Sequence, residues 1–341
     1  MKKTLVFLSF MIIAVSLMGQ KRFILQNGSA SVWENLDDAV SNAVTGDTLY
    51  LPGGVFTLTN NTIDKGLVWI GAGYHPDSTM ATGNTQITST LTFNGSADNT
   101  YLTGIEFTNQ VFFGEATDDA LNVTIERCKF NNQLHLRQMD SDTTDTGMEI
   151  RECVLLSYLN GYNIRNLIIE NSMLFYRIYN VHYTAYLNCD ILYSSTYNYK
   201  VFYGAHECFF ANCVFPGNNM HNFEDMTNCT FSHCLFNRNM SFPVGTNAEV
   251  NCVDDVNISN IYTYLEGGTI AWDVLNDFHL VGGSPGENAG SDGTDTGIYG
   301  GSNPLKEGGL PFNPHIRSVS VPSQTTDGNL PVEIGAGSQT H

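Results

Sequence analysis

Basic residues are scarce: 15 Lys and Arg stand against 34 Asp and Glu in 341 residues, a formal net charge of −19. A surface of that sign disfavours nucleic acid and anionic membranes, which are bound through clustered Lys and Arg. It also disfavours unaided binding of a polyanion, which would need a bridging Ca²⁺ or a local basic patch. After the first twenty residues no segment approaches the roughly 18 consecutive apolar residues of a membrane-spanning helix. Cys-x-x-Cys and Cys/His ligand spacings are missing, which argues against a zinc site. The Gly-rich stretch 71–76 (GAGYHP) lacks the strand–GxGxxG–helix setting of a dinucleotide site and reads as a turn.

The one long apolar run lies between Leu5 and Met18, behind Lys2 and Lys3. It is short for a bilayer and reads as a secretory signal peptide over residues 1–19, cleaved after Gly19. No Cys precedes Cys128, so a lipid anchor at the signal is not expected. Losing the two lysines leaves 13 basic residues against 34 acidic, a net −21. The expectation is a protein that is secreted or held at the cell surface, monomeric, with no nucleic-acid partner and no membrane span.

What the chain does have is self-similarity. The segments 123–130 (VTIERCKF), 148–155 (MEIRECVL), 167–174 (LIIENSML), 184–191 (TAYLNCDI), 208–215 (CFFANCVF) and 229–236 (CTFSHCLF) share one pattern. Their third and eighth positions are apolar or aromatic, and the sixth is small. The sixth-position residues Cys128, Cys153, Ser172, Cys189, Cys213 and Cys234 are 25, 19, 17, 24 and 21 residues apart. A unit of that size marks a solenoid. Alternation over three positions, a polar break and resumed alternation read as strand, corner, strand. Units this short leave no room for a packed helix, so successive coils pair as parallel strands about 4.8 Å apart. The corner before the small residue reads Arg127, Glu152, Asn171, Asn188, Asn212, His233 and Asn251, and stacked Asn amides are expected to bond to one another along the axis.

Eight cysteines in an exported chain first suggest disulfides. Six of them fall on one ladder position, with Cys208 and Cys229 on a second. Stacked residues carry parallel Cβ vectors, a poor match to disulfide geometry, so free buried thiols filling a narrow core are expected.

On these residues the chain resembles the right-handed parallel β-helix superfamily, the pectin lyase-like proteins that include pectate lyases, polygalacturonases and chondroitinase B-type lyases. The resemblance covers about residues 31–301. It implies an all-β, right-handed, single-stranded solenoid of about ten coils with an N-terminal capping helix. In that family an Asn ladder holds the corner between two of three sheets, the place taken here by Asn171, Asn188, Asn212 and Asn251. Residues 31–44 fit the cap: Ser31 as N-cap, Glu34 three residues on, and Trp33, Leu36, Val40 and Val44 on one face. The β-helix domain is expected over 20–301, and 302–341 as a linker with a short C-terminal β segment, strands at 316–322 and 330–334.

Outward Glu126, Arg151 and Glu170 on successive rungs read as a solvated charge ladder. The sheet upstream of each repeat is more informative. Seven residues before the small position stand Arg165, His182, His206 and Thr227, expected outward, with Ile164, Val181, Ala205 and Met226 inward. Asn163, Asn180, Tyr179, Lys200 and Asp225 flank this column as candidate substrate-binding residues. In the resembled lyases this sheet forms the substrate groove. A uronate lyase must neutralise a carboxylate, take the C5 proton and protonate the leaving oxygen; Arg165, His182 and His206 are of suitable types. They are equally compatible with an ordinary surface. Ten of the sixteen tyrosines fall between Tyr158 and Tyr203, suited either to stacking on sugars or simply to half-buried strands.

The polygalacturonase and pectate-lyase signatures are not found as sets. No cofactor is required, although Asp140, Asp142 and Asp145 in an acidic loop offer carboxylates to Ca²⁺. Three functions stay open: a polysaccharide-binding or surface protein without turnover, a polysaccharide lyase of an unfamiliar subgroup, and a structural adhesin or scaffold.

Overall fold

The computed structural model describes residues 21–76, 79, 81–115, 119–136, 146–192, 201–217, 225–240, 245–322 and 329–338. The expected signal peptide, Lys200 and the loop of Asp140, Asp142 and Asp145 lie outside these residues. The chain is an all-β parallel solenoid with a triangular section. Each turn gives one strand to a twelve-stranded first sheet, one to a nine-stranded second and one to an eight-stranded third. Eight turns are complete, fewer than the ten expected, because the third sheet starts late at Thr62–Ile63 and stops at Met226–Thr227. No helix among the described residues is long and apolar enough to cross a membrane.

Like residues stack on like at rung spacing. Tyr186, Phe210 and Phe231 form one inward column, with ring centroids 4.6 and 4.7 Å apart and nearly parallel planes. Phe107 over Phe130 and Phe215 over Phe236 repeat this at 5.0 and 4.7 Å. Each such residue is fully buried, contributing roughly 1.5–3 kcal/mol through area removed from water.

The corners follow from backbone conformation. Gly104, Arg127, Glu152, Asn171, Asn188, Asn212, His233 and Asn251 all adopt left-handed φ, between 45° and 71°. A second column at the corner from third to first sheet does the same: Asn99, Asn122, Gly147, Asn166, Tyr183, Glu207 and Asn228. Asn is common here because it tolerates this region at little cost. The residue after each corner points inward, and its backbone N–H needs an acceptor. The next rung supplies one: Cys128 N–H donates to Cys153 Sγ (3.4 Å), Cys153 N–H to Ser172 Oγ (3.0 Å) and Cys208 N–H to Cys229 Sγ (3.4 Å). The position is small because the corner is tight, and thiol or hydroxyl because it must accept. All eight cysteines are free, and seven are buried.

The N-terminal cap differs from expectation. Ser29–Trp33 is a strand, paired antiparallel with Phe23–Asn27 around Gly28 at φ 72°. Helix α1 is only Leu36–Asn42, and Asn35 caps it, accepting from Asp37 N–H at 2.8 Å. Gly28 alone turns the chain between the two strands, and their pairing takes Ser31 opposite Leu25, so Ser31 cannot cap. Val44 is exposed, while Leu36, Ala39 and Val40 join the core. Lys65 Nζ reaches the carbonyls of Val40 and Ala43 at 3.3 and 3.1 Å, neutralising the helix end.

Of the corner side chains, Asn251 Nδ2 bonds along the axis to His233 Nε2 at 3.2 Å as expected, whereas Asn171, Asn188 and Asn212 grip the returning C-terminal segment. Asn212 Oδ1 accepts from Ser291 N–H (2.8 Å), and Asn171 Nδ2 donates to the carbonyls of Ile298 and Gly300 (2.9 and 2.8 Å). Glu152 accepts from Lys306 N–H (3.0 Å), and Arg127 Nη1 donates to Leu310 O (2.8 Å). Rung by rung, the segment runs back along the solenoid. The stretch 302–314, expected as a linker, is held against the body here. It ends near the N-terminal hairpin, where Arg22, Ile24 and Tyr50 share a cavity of about 580 Å³ with Pro311 and His315. Beyond it stand the two antiparallel strands His315–Ser320 and Glu333–Gly337.

The same C-terminal segment covers the second sheet. Outward Val154, Met173, Val214 and Leu235 join Val256, Ile261, Phe278 and Ile298 in a second apolar cluster. Asp190, in the same outward column, is buried and accepts from Tyr262 OH at 2.9 Å. On the first sheet Arg151 pairs with Glu149 and reaches Glu170 at 3.9 Å, as a charge ladder, while Glu126 accepts from Tyr101 OH.

Candidate functional site: the outer face of the third sheet

The strands Leu159–Arg165, Ile178–His182 and Phe202–His206 are longer than their neighbours. Each interrupts its alternation with a left-handed residue: Asn163 at φ 71°, Asn180 at 52° and Gly204 at 67°. The register skips there, from Asn160↔Tyr179 to Ile164↔Val181. A bulge of this kind lets one strand present two outward columns instead of one. At φ 67° Gly204 adopts this conformation without strain, and a Cβ there would lie 2.8 Å from Asn180 Oδ1, at the movable end of that side chain.

The first column is Arg165, His182, His206 and Thr227, paired rung to rung, with Ile164, Val181, Ala205 and Met226 buried behind it. The His182 and His206 rings stack at 5.0 Å. His182 Nε2 bonds to Asn163 Oδ1 at 3.2 Å, and His206 Nδ1 to Thr227 Oγ1. Burial, with help from His206 and Arg165, lowers the His182 pKa below its usual value. Its imidazole is therefore held neutral near pH 7. The Arg165 guanidinium lies 5.3 Å from the ring centre of exposed Tyr183. Asp225, one residue before Met226, is level with Gly204, and its carbonyl accepts from Ala205 N–H at 3.2 Å.

The second column is aromatic over much of its length: Phe112, His135, Asn160, Tyr179 and Tyr203 align in register. Phe112 stacks on His135 at 4.3 Å, and Tyr179 on Tyr203 at 4.9 Å. At the Asn160 rung the gap is filled from the sides, by Tyr162 at 5.9 Å from His135 and Tyr158 at 5.4 Å from Tyr179. Tyr162 achieves this at φ 46°, a conformation costing a bulky residue on the order of 1–3 kcal/mol. Arg177 sits among the tyrosines, its guanidinium 6.0, 5.4 and 5.7 Å from the ring centres of Tyr158, Tyr176 and Tyr203, with Nη1 donating to Tyr179 OH at 3.3 Å.

Of the residues singled out in the sequence, Arg165, His182, His206, Asn163, Asn180, Tyr179 and Asp225 share this face. Phe112, His135 and Arg177 were missed. His135 lies seven residues after Cys128, the offset of Tyr179 from Ser172, and Phe112 pairs with it one rung earlier; counting forward from the small position finds this column, whereas counting back finds the Arg/His column alone. The cavities of about 580 and 240 Å³ lie elsewhere, lined by residues outside these columns. Among the described residues no group of three or more His, Cys, Asp or Glu is arranged to hold a metal ion.

The chain matches no protein-family model, and no curated protein matches it.

Proposed function

We propose that this is a secreted or surface-held β-helix of the pectin lyase-like kind that binds a polysaccharide along its third sheet without turning it over. The observation that carries the reading is the aromatic strip from Phe112 to Tyr203, which crosses successive rungs beside an Arg/His column. Aromatic faces stack on sugar rings, and phenols bond to hydroxyls. Arg165 and Arg177 supply the local basic patch that an acidic protein needs if the glycan is anionic. Calorimetric titration of the protein with a glycan panel tests this. Replacing Tyr179 and Tyr203 together by Ala should weaken binding roughly tenfold, and an unchanged affinity would remove the strip from the site.

A second reading, a uronate lyase, is favoured by the neutral His182 beside Arg165: a base next to a carboxylate-neutralising cation. Unsaturated product absorbing in the ultraviolet, formed with or without added Ca²⁺ and lost on replacing His182 and His206, would establish it. Neither binding nor product would leave a structural scaffold.

A further inference from the structure

We propose that the cavity of about 240 Å³ beneath the C-terminal segment is a binding site for a quaternary ammonium group, distinct from the third-sheet face. It lies between the second sheet and the segment that covers it. Its buried side is Met173, Leu305 and Phe278, which present no carbonyl or carboxylate side chain. Its walls are aromatic: Tyr74 and Trp272 meet edge to face, with centroids 6.4 Å apart and planes inclined at 66°, and Tyr299 adds a third ring. Tyr299 is held in place by His279, stacked at 3.7 Å, and by its hydroxyl, which donates to Glu307 Oε1 at 3.1 Å. Carboxylates stand on the open side, with Glu307 exposed and Asp273 half-buried.

Aromatic faces carry negative potential, so walls of this kind with carboxylates at the mouth attract a cation. The Trp272 ring already has one 5.7 Å from its centre, Lys129 Nζ, whose charge Glu106 pairs at 3.1 Å. The apolar floor selects the type of cation. Against that floor an ammonium bearing N–H groups would lose water and meet no side-chain acceptor, since the polar lining residues His75, Asp273, Asn276 and Glu307 stand on the other sides. A methylated nitrogen has no N–H to satisfy and gains from the apolar contact. A sugar fits less well. The Asn276 amide is spent, donating to Ala271 O at 2.7 Å and accepting from Glu266 N–H at 2.6 Å, and Asp273 Oδ1 accepts from Leu275 N–H at 2.9 Å. The volume is below the roughly 300 Å³ at which drug-sized pockets begin, which suits a single small headgroup.

The test is calorimetric titration of the full chain with choline at constant ionic strength, beside its neutral isostere 3,3-dimethylbutan-1-ol. Saturable binding of choline, with the alcohol at least about tenfold weaker, is expected. Glycine betaine and phosphocholine separate a free cation from a zwitterionic headgroup; their anionic ends should be disfavoured by Glu307 and Asp273. Trp272→Leu should abolish binding but also loosens packing on Phe175, so Glu307→Gln decides, with an expected loss of roughly threefold. No saturable choline binding, equal binding of the alcohol, or an unchanged affinity in Glu307→Gln would each overturn the proposal.

Discussion

Asn171 donates both hydrogens of its side-chain amide to one stretch of chain, the carbonyls of Ile298 and Gly300, across more than 120 residues of sequence. The amide sits at φ 45° on a corner and is fully buried. It serves two needs at once, a left-handed backbone and a clasp for the returning segment.

Separating those needs gives the first prediction. Asn171→Gly keeps the backbone and removes the clasp, and should lower stability by about 1–3 kcal/mol through two unsatisfied buried carbonyls. Asn171→Ala should cost about 1–2 kcal/mol more, for forcing a Cβ into the left-handed region. Urea unfolding of the two variants checks the order. Faster proteolysis near residues 288–312 in both would locate the effect.

Arg127 and Glu152 occupy the two rungs of the same corner column just before the first amide, Asn171, joined by Arg127 Nε to Glu152 Oε2 at 3.0 Å with both side chains buried. Breaking one side leaves a buried charge. Glu152→Gln should therefore cost about 3–5 kcal/mol. The double variant Arg127→Asn, Glu152→Asn replaces the pair by the amides found on later rungs, and should recover most of that loss. A double variant no more stable than Glu152→Gln would contradict this account.

The thiol ladder predicts selective reactivity. Burial pushes the Cys128 thiol up to about 12, and the contact with Cys234, then partial burial, push Cys252 up as well, so accessibility decides: Cys252 alone among the eight is not buried. Brief treatment of the native protein with iodoacetamide should modify Cys252 first and leave the other seven, as read by peptide mass spectrometry. Cys153→Ser copies the neighbouring Ser172 and should cost less than about 1 kcal/mol. Cys153→Val, with no acceptor for Cys128 N–H, should cost about 1–3 kcal/mol.

Asp190 predicts a pH dependence. Burial raises its carboxyl to about 7, against 3.8 in the unfolded chain, while Tyr262 and the Ile298 N–H oppose the rise. Between these values the folded protein binds the extra proton, so this group's contribution to stability is largest below about pH 4. It declines as the pH rises to about 7, and is flat above. Subtracting the stability profile of Asp190→Asn from that of the unaltered protein should isolate this slope. A flat difference over that window would show that Asp190 ionises in place without cost.

The tube was legible because its repeat is written at the tightest positions. Cys128 to Cys234 fix the rung, and the pairing of Arg165 with His182 and His206 follows from counting back. What the sequence hid depends on contacts between distant segments. Asn188 and Asn212 read as partners for each other because nothing local reveals residues 288–312 lying over them. Ser31 read as a helix cap because capping is local, whereas the hairpin around Gly28 wins through pairing with Thr48–Tyr50 as well. On the third sheet, the left-handed residues Asn163 and Asn180 shift the register between the two columns, so the aromatic strip, reached by counting forward from the small position, does not follow from the column reached by counting back.

A stack of repeats whose units touch only their neighbours ordinarily frays from an exposed end, one unit at a time. The strap from Ser291 to Leu310 changes that connectivity, since it is fastened at Asn212, Asn171, Glu152 and Arg127 in turn. The last coils cannot peel away without stripping the strap from the earlier ones. A chain built as a linear array is thereby made to melt as a closed unit.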